Sequence, residues 1–292
     1  MAPIRLAQIS DFHFTKITWN PLRLFPKRIL ANLNWVFKRQ NSFSKEQLDA
    51  LPKFLKSVGV DRVLLGGDFT TTSLLSEYGL AKKFVKDLPA PWIAIPGNHD
   101  HYTYRSYREK HFYRYFTNKR QIEHKVDFFT LADHGVEAHR FKGTNWWLIG
   151  LDTAVPTNPY SSAGLFSEKQ EEYLEEILAA LPKDASILLF NHYPFFQNDI
   201  GRHSLGRGEA LEAIVKKEPR IKAYLHGHSH RHTIANLQPS GMPVILDSGC
   251  SADSKKGSWN LLEIDDEKIK IEVYGWNKGW ELNRVEEIAW TR

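Results

Sequence analysis

Gly97-Asn98-His99-Asp100 sets an amide, an imidazole and a carboxylate side by side, directly after the apolar run Trp92-Ile93-Ala94-Ile95-Pro96. Such groups are costly to bury unpaired and contribute nothing as core. They suit a site that holds a metal ion and works on a phosphate. The pattern recurs along the chain. Asp11-Phe12-His13 ends an earlier apolar run, Gly66-Gly67-Asp68 ends another, and Asn191-His192 and His226-Gly227-His228-Ser229-His230 end two more. Hydrolysis at phosphorus must overcome an anionic substrate, a weak nucleophile and charge building on the leaving oxygen. Two divalent ions roughly 3.5–4 Å apart meet all three demands, and need a carboxylate shared between them plus imidazole and oxygen ligands. A mixed His/Asp/Asn donor set suits Mn, Fe, Co or Zn better than Mg or Ca. Asp11 and His13 would share a face if the strand continued through them. His228 and His230 could do the same in an extended loop, or splay toward two metals. Two glycines before Asp68 let the backbone turn sharply and bring the carboxylate close.

These groups need strands to carry them. Short apolar runs predict strands at Ile4–Ile9, Arg62–Leu65, Trp92–Ile95, Trp146–Leu151, Ser186–Phe190, Ala223–Leu225 and Val244–Leu246, each followed by Gly, Asp, Asn or His. Helical patterns lie between them. Ser167-Glu168-Lys169-Gln170 is a capping box for a helix that ends before Pro182. Ser44 to Gln47 opens another, with Leu48, Leu51, Phe54, Leu55 and Val58 as its apolar stripe and Pro52 as an interruption. Strands alternating with helices predict a largely parallel sheet with ligands beyond its carboxyl ends. Leu261–Ile264, the turn Asp265-Asp266-Glu267 and the alternating Ile269, Ile271 and Val273 predict an antiparallel hairpin and a second, more antiparallel sheet. No linker rich in Gly, Ser or Pro divides residues 1–292, so one domain is expected.

In that order, D-x-H, G-G-D, G-N-H-D, N-H and G-H-x-H resemble the calcineurin-like binuclear metallophosphoesterases, and the resemblance spans Asp11 to His230 and the sheet beyond. It implies an α/β fold, a β-sandwich of two mixed sheets flanked by helices. It implies two divalent metal ions (Mn, Fe or Zn, with Mn favoured). Asp11, His13 and His230 would bind one, Asn98, His192 and His228 the other, and Asp68 both. A hydroxide between the metals would attack phosphorus. His99 would face the phosphate and protonate the leaving group, with Asp100 orienting its ring. A free imidazole paired with a carboxylate can act as an acid, whereas a metal-bound one cannot.

Several polar residues fit blander roles. A lone His or Asp in a loop is usually surface, and Asn98 or Asp11 could cap a turn. His226 is expected buried and hydrogen-bonded, and His101 at the surface or against substrate. Asp152 and Asp247 end strands but match no ligand position, and Cys250 fits a small buried side chain better than a nucleophile. As the single cysteine, Cys250 excludes a disulfide within the chain. The formal net charge of +5 permits an anionic partner without naming one. The N-terminus reads as a strand rather than a signal peptide, and no apolar run is long enough to span a bilayer, so a cytoplasmic protein, free or peripherally attached, is expected.

Substrate choice should lie in two insertions, about residues 14–43 and 101–125. The first carries Lys16, Arg23, Lys27, Arg28, Lys38 and Arg39 and no acid. Within it, Ile29, Leu30, Leu33, Val36 and Phe37 form one helical face, centred on a 26–39 segment that either contacts a membrane or packs its apolar side on the domain. The second interleaves Tyr102, Tyr104, Tyr107, Phe112, Tyr113, Tyr115 and Phe116 with Arg105, Arg108, Lys110, Arg114, Lys119 and Arg120. This suits a base-stacking surface, a basic-rimmed acyl groove, or an ordinary helical excursion. Arg202, His203 and Arg207 are candidate substrate contacts, since the arginine fork matches phosphate oxygens.

Together these favour an anionic, partly apolar substrate, a description that a nucleotide-linked lipid fits. The lipid A pathway branch that cleaves UDP-2,3-diacylglucosamine to a lipid monophosphate and UMP is similar in its metal motifs and lid. Its widespread form has Arg at the His99 position, and a separate form keeps G-N-H-D. The alternative is a phosphodiesterase on cyclic nucleotides or other small phosphodiesters. A nuclease and a non-catalytic scaffold rank lower: no nucleic-acid module is visible, and all seven ligand positions are filled.

Overall fold

The computed structural model describes residues 3–20, 26–34, 42–118, 125–196 and 201–291. Arg23, Val36, Phe37, Lys38, Arg39, Lys119 and Arg120 therefore lie outside the described residues. In chain order the strands begin with β1 (Ile4–Ile9), β2 (Arg62–Leu65), β3 (Trp92–Ala94), β4 (Val136–Arg140), β5 (Trp146–Leu151), β6 (Gly164–Leu165) and β7 (Ser186–Phe190). They continue with β8 (Leu205–Gly206), β9 (Ile221–His226), β10 (His232–Asn236), β11 (Val244–Ser248), β12 (Ser258–Ile264), β13 (Lys268–Trp276) and β14 (Trp280–Ala289). The helices begin with α1 (Pro26–Asn34), α2 (Lys45–Val58), α3 (Leu75–Lys86), α4 (Tyr104–Arg108) and α5 (His111–Tyr115). They end with α6 (Leu131–His134), α7 (Glu168–Ala180) and α8 (Gly208–Lys217).

Two mixed sheets form, in the orders β14-β13-β12-β1-β2-β3 and β10-β11-β9-β7-β5-β4. Their centres are parallel: β1 with β2, β2 with β3, and β5, β7, β9 and β11 in succession. The predicted hairpin forms, with Ile264 opposite Ile269, but it makes no sheet of its own. It joins β1 through an antiparallel pairing of Leu262 with Leu6 and extends the first sheet.

Alternation along single strands explains why the sheets stack. In β1, Leu6 enters the layer between the sheets while Ala7 and Ile9 face the opposite way, toward α2 and α3. In β7, Leu188 and Phe190 enter that same central layer while Ile187 and Leu189 pack under α7 and α8. A strand buried on both faces reads as an unbroken apolar run, which is what Ser186–Phe190 shows.

The capping box at Ser167 is present, its Oγ accepting from Gln170 N at 3.2 Å and Gln170 Oε1 accepting from Ser167 N at 2.9 Å. At α2 the sequence signal is only half realised. Ser44 is the N-cap but makes no side-chain cap bond, and Gln47 donates instead to Asp253 O at 2.9 Å. The helix runs through Pro52 without ending.

Glu77 ties the first insertion to α3. It is fully buried and accepts from Thr72 N (2.9 Å), Leu74 N (3.0 Å) and Lys16 N (3.1 Å). Burial outweighs these donors and pushes its carboxyl from 4.5 up to about 7. The folded chain therefore holds this proton more tightly than the unfolded one. Its contribution is full below about pH 4.5 and is lost as pH rises through about 7, on the order of 3 kcal/mol in all. Glu77→Gln is expected to remove that decline. Thermal melts across this range check it, and parallel pH profiles of variant and wild type would contradict it.

Candidate functional site

The five polar motifs meet at one edge of the sandwich. They lie in the loops that leave the carboxyl ends of β1, β2 and β3 in one sheet and β7 and β9 in the other. Parallel strands put those ends together.

The loops are tightly wound. Asp11, His13, Asp68, His228 and His230 all have positive φ, between 48° and 67°. Asp11 and His13 therefore do not continue the strand, as their spacing allows; β1 stops at Ile9 and both residues turn in left-handed backbone. Left-handed backbone is uncommon outside glycine, though Asp and His tolerate it better than most. It persists where surrounding bonds over-determine it. Asp11 N donates to Gly67 O at 3.0 Å, and Phe12 N and His13 N both donate to Asp68 O, at 3.0 and 2.9 Å. Gly67 (φ 95°) lies so close to the next loop that a Cβ would sit 2.6 Å from Gly97 N.

His13, His192 and His230 converge on Asp11 and Asp68. The Nε2 atoms of His13 and His230 are 3.2 Å apart, and His230 Nε2 is 3.1 Å from Asp11 Oδ1. Asp68 Oδ2 lies 3.6 Å from His192 Nε2 and 4.0 Å from His13 Nε2. His192 Nδ1 lies 2.7 Å from Gly66 O, which fixes the proton there and aims Nε2 at Asp68. His228 is held through the other nitrogen: its Nε2 is 2.9 Å from His203 O, which leaves the Nδ1 lone pair facing the oxygen Asn98 Oδ1 at 3.0 Å, two acceptors with no proton between them. Orienting an imidazole through its second nitrogen is the usual arrangement behind a metal ligand.

The electrostatics fit a cation at this point. His192 Nε2 is buried and has no hydrogen-bond partner among the described residues. Burial lowers the pKa of both His192 and His228, with His192 adding to the effect on His228, so both stay in the neutral, ligating form. Burial and the neighbouring Asp11 and Asp100 charges push Asp68 well above the usual carboxylate range. Burial pulls Asp11 the same way, but His230 overrides it and holds Asp11 far below that range. Two buried carboxylates and several imidazole lone pairs converge here with few donors among them. That donor set fits one or two divalent ions. Asp11, Asp68 and His192 fall within ligand-sharing distances, as do His13, Asp68 and His99, and His13, His230 and Cys250. Cys250, its Sγ 3.2 Å from Asp11 O, is buried as expected, but its closeness to His13 and His230 carries no signal in residue spacing.

The groups around this cluster divide into those that face it and those engaged elsewhere. His99 lines the adjoining cavity, donates its backbone N–H to Asp68 Oδ1 at 2.8 Å, and stacks on Tyr102 at 5.6 Å. Its Nδ1 lies 2.7 Å from Thr71 O. The carbonyl of Thr71 thus orients the ring, not Asp100. Asp100 Oδ1 and Oδ2 are taken by Thr70 N (3.0 Å), Phe69 N (3.2 Å) and Gly97 N (3.0 Å), which lock the Asp68 and Asn98 loops together. Arg207 is likewise not available to substrate. Its guanidinium is held by Glu168, Glu171 and the Phe166 carbonyl on the α7 side. His101 is not at the surface: it is buried and meets Asp152 Oδ2 at 3.0 Å. Asp152 also accepts from Tyr113. His226 is buried against Asp247, at 3.4 Å, as expected.

Arg202 and His203 do reach the cavity, a space of about 460 Å³ over the cluster that Lys27, Tyr102, Tyr160 and Ser162 also line. Lys27 comes from the first insertion. Its Nζ donates to Thr157 O at 3.0 Å and sits 4.3 Å over the Tyr102 ring, and burial lowers its pKa to about 8. The described part of the second insertion is divided between core and surface. Phe112 and Phe116 are buried and Tyr115 stacks on Tyr78, whereas Tyr102 lines the cavity and Tyr104 and Tyr107 are exposed.

The model of the calcineurin-like phosphoesterase family matches residues 4–232. The chain belongs to that family, and it is a hydrolase of phosphoester bonds. It is similar to a probable glycerophosphodiester phosphodiesterase, GpdQ, of Arcobacter nitrofigilis, at 30% identity over 59% of this chain and 57% of that one. It is also similar to the 3',5'-cyclic adenosine monophosphate phosphodiesterase CpdA of Escherichia coli, at 26% identity over 73% and 74%. Among solved structures, a dimetal phosphatase from Danio rerio shares the fold with a TM-score of 0.64, at 14% identity and 99% coverage of both chains.

Proposed function

We propose that this protein is a metal-dependent phosphodiesterase whose substrate is a small, polar phosphodiester such as a cyclic nucleotide or a glycerophosphodiester. The observation that carries this is the polar cavity over the His/Asp/Asn cluster, rimmed by Lys27, Arg202 and His203. Relatives named as phosphodiesterases on such compounds support it. In this reading Asp11, His13 and His230 would hold one divalent ion, Asn98, His192 and His228 would hold a second, and Asp68 would serve both. Manganese is the favoured occupant. When bound, such a pair neutralises phosphate oxygens and makes water acidic enough to supply a nucleophile. His99, its Nδ1 bonded to the Thr71 carbonyl, offers Nε2 to the phosphate and, when protonated, gives a proton to the leaving oxygen. Lys27 and Arg202 add positive charge where the anionic substrate enters.

Cleavage of UDP-2,3-diacylglucosamine, the reading that draws on the metal motifs and a basic, apolar lid, ranks second. Product analysis decides between the two readings. Metal-loaded protein should hydrolyse 3',5'-cyclic AMP or a glycerophosphodiester in detergent-free buffer. Release of UMP from the diacylated sugar nucleotide in mixed micelles, with no turnover of the soluble diesters, would overturn the proposal.

A further inference from the structure

The cavity wall that follows Thr157 carries an aromatic corner. Pro159 and Tyr160 both line the cavity and both are exposed, Tyr160 to 74%. Among the described residues the Tyr160 ring meets no other ring and no cation. Tyr102, the other tyrosine of the lining, is already engaged by His99, with ring centroids 5.6 Å apart, and by Lys27 Nζ, 4.3 Å over its ring. The backbone around Tyr160 is fixed. Asn158 Oδ1 accepts from Tyr160 N at 2.9 Å, and Ser161 Oγ and Ser162 N both donate to Arg202 O at 2.9 Å. Ser162 O accepts from Tyr193 Oη at 2.9 Å, and Thr157 O from Lys27 Nζ at 3.0 Å. An aromatic ring held in water on a loop tied at this many points is a prepared binding surface, since little ordering is left to pay on contact.

We propose that Tyr160 makes the site selective for diesters that carry a nucleobase, its ring stacking on the base while the phosphate lies over the His/Asp/Asn cluster. This rests on the phosphodiesterase reading and narrows its substrate class. The two ends of the cavity differ in chemistry. Asp68, Asn98, His99, His228 and His230 gather at one end, where a phosphate belongs. At the other, Pro159 and Tyr160 form a small planar apolar patch among Ser161, Ser162, Arg202 and His203. A base offers a flat face to the ring and polar edges to those neighbours. The alcohol groups of a glycerophosphodiester have no flat face and would leave the ring in water. An acyl chain needs a longer apolar track than one ring and one proline. Stacking tolerates any base, so the selectivity is for nucleosides over base-free alcohols and not for one base over another.

Kinetics of the metal-loaded full chain on two diesters, 3',5'-cyclic AMP and glycerophosphocholine, test it. In Tyr160→Ala, kcat/KM for cyclic AMP relative to glycerophosphocholine should fall about tenfold or more, through KM rather than kcat. Tyr160→Phe keeps the ring and should keep the wild-type ratio. Circular dichroism and metal content establish that both variants are folded and loaded. A ratio in Tyr160→Ala equal to that of wild type would overturn the proposal, as would a ratio lost equally in Tyr160→Phe. So would a wild type that cleaves glycerophosphocholine and not cyclic AMP. Each of these outcomes leaves the phosphodiesterase reading standing. That reading falls, and the role of Tyr160 with it, if the wild type hydrolyses neither diester.

Discussion

Asp68→Ala is expected to strip the protein of metal and reduce phosphodiester hydrolysis to background. Asp68 stands between the two imidazole groups, 3.6 Å from His192 Nε2 and 4.0 Å from His13 Nε2. Asp11 shares this space, with Oδ1 3.8 Å from His13 Nε2 and an oxygen within ligand distance of Asp68 and His192. Its cost in the metal-free chain is high, since burial and two carboxylate neighbours all disfavour its charge. Such a group is retained for a ligand rather than for folding. The variant should therefore fold, with circular dichroism like that of wild type, while elemental analysis finds it metal-poor. A variant that keeps both its metal and its activity would remove Asp68 from the proposed bridging position.

His99→Ala should produce the opposite pairing of effects: metal retained and rate lost. An acid acting on the leaving oxygen is worth about 10²–10⁴-fold, or about 3–5 kcal/mol of barrier. The loss should appear in kcat more than in KM. It should also shrink for a diester with a strongly acidic leaving group, which needs no proton. His99 lies within ligand distance of His13 and Asp68, so metal analysis is the decisive readout. Metal lost together with the imidazole would make His99 a ligand and end its assignment as the acid.

Much of this site was legible before the fold, and the reasons are local. Each ligand motif follows an apolar run, and parallel strands bring such ends to one edge, so Asp11, Asp68, Asn98 and His192 could be placed together from order alone. Strands β1, β2, β5 and β7 have the bounds expected from their apolar runs. The misses share a different cause. β14 is an edge strand whose middle, from Glu281 to Glu286, faces solvent, so no apolar alternation marks it. Asp100 and Arg207 are of the residue types expected at a phosphate site, but partners chosen across the fold decide what they do. Asp100 is spent on backbone N–H groups near residue 70, and Arg207 on the carboxylates of α7. The Thr71 carbonyl that orients His99 could not be found by side-chain chemistry, because it is backbone. For α1, amphipathic spacing placed Ile29, Leu30 and Leu33 on one face, and all three are exposed. Whether that face turns in or out depends on Thr72 and Thr18, which accept from the polar side.

The most direct test of the binuclear reading is metal titration of the chelator-treated protein, with hydrolysis of an aryl phosphodiester followed at each step. The prediction is no activity without metal, and recovery with manganese that is complete at about two ions per chain. Hydrolysis that persists in metal-free protein, or that is complete at one ion per chain, would contradict it.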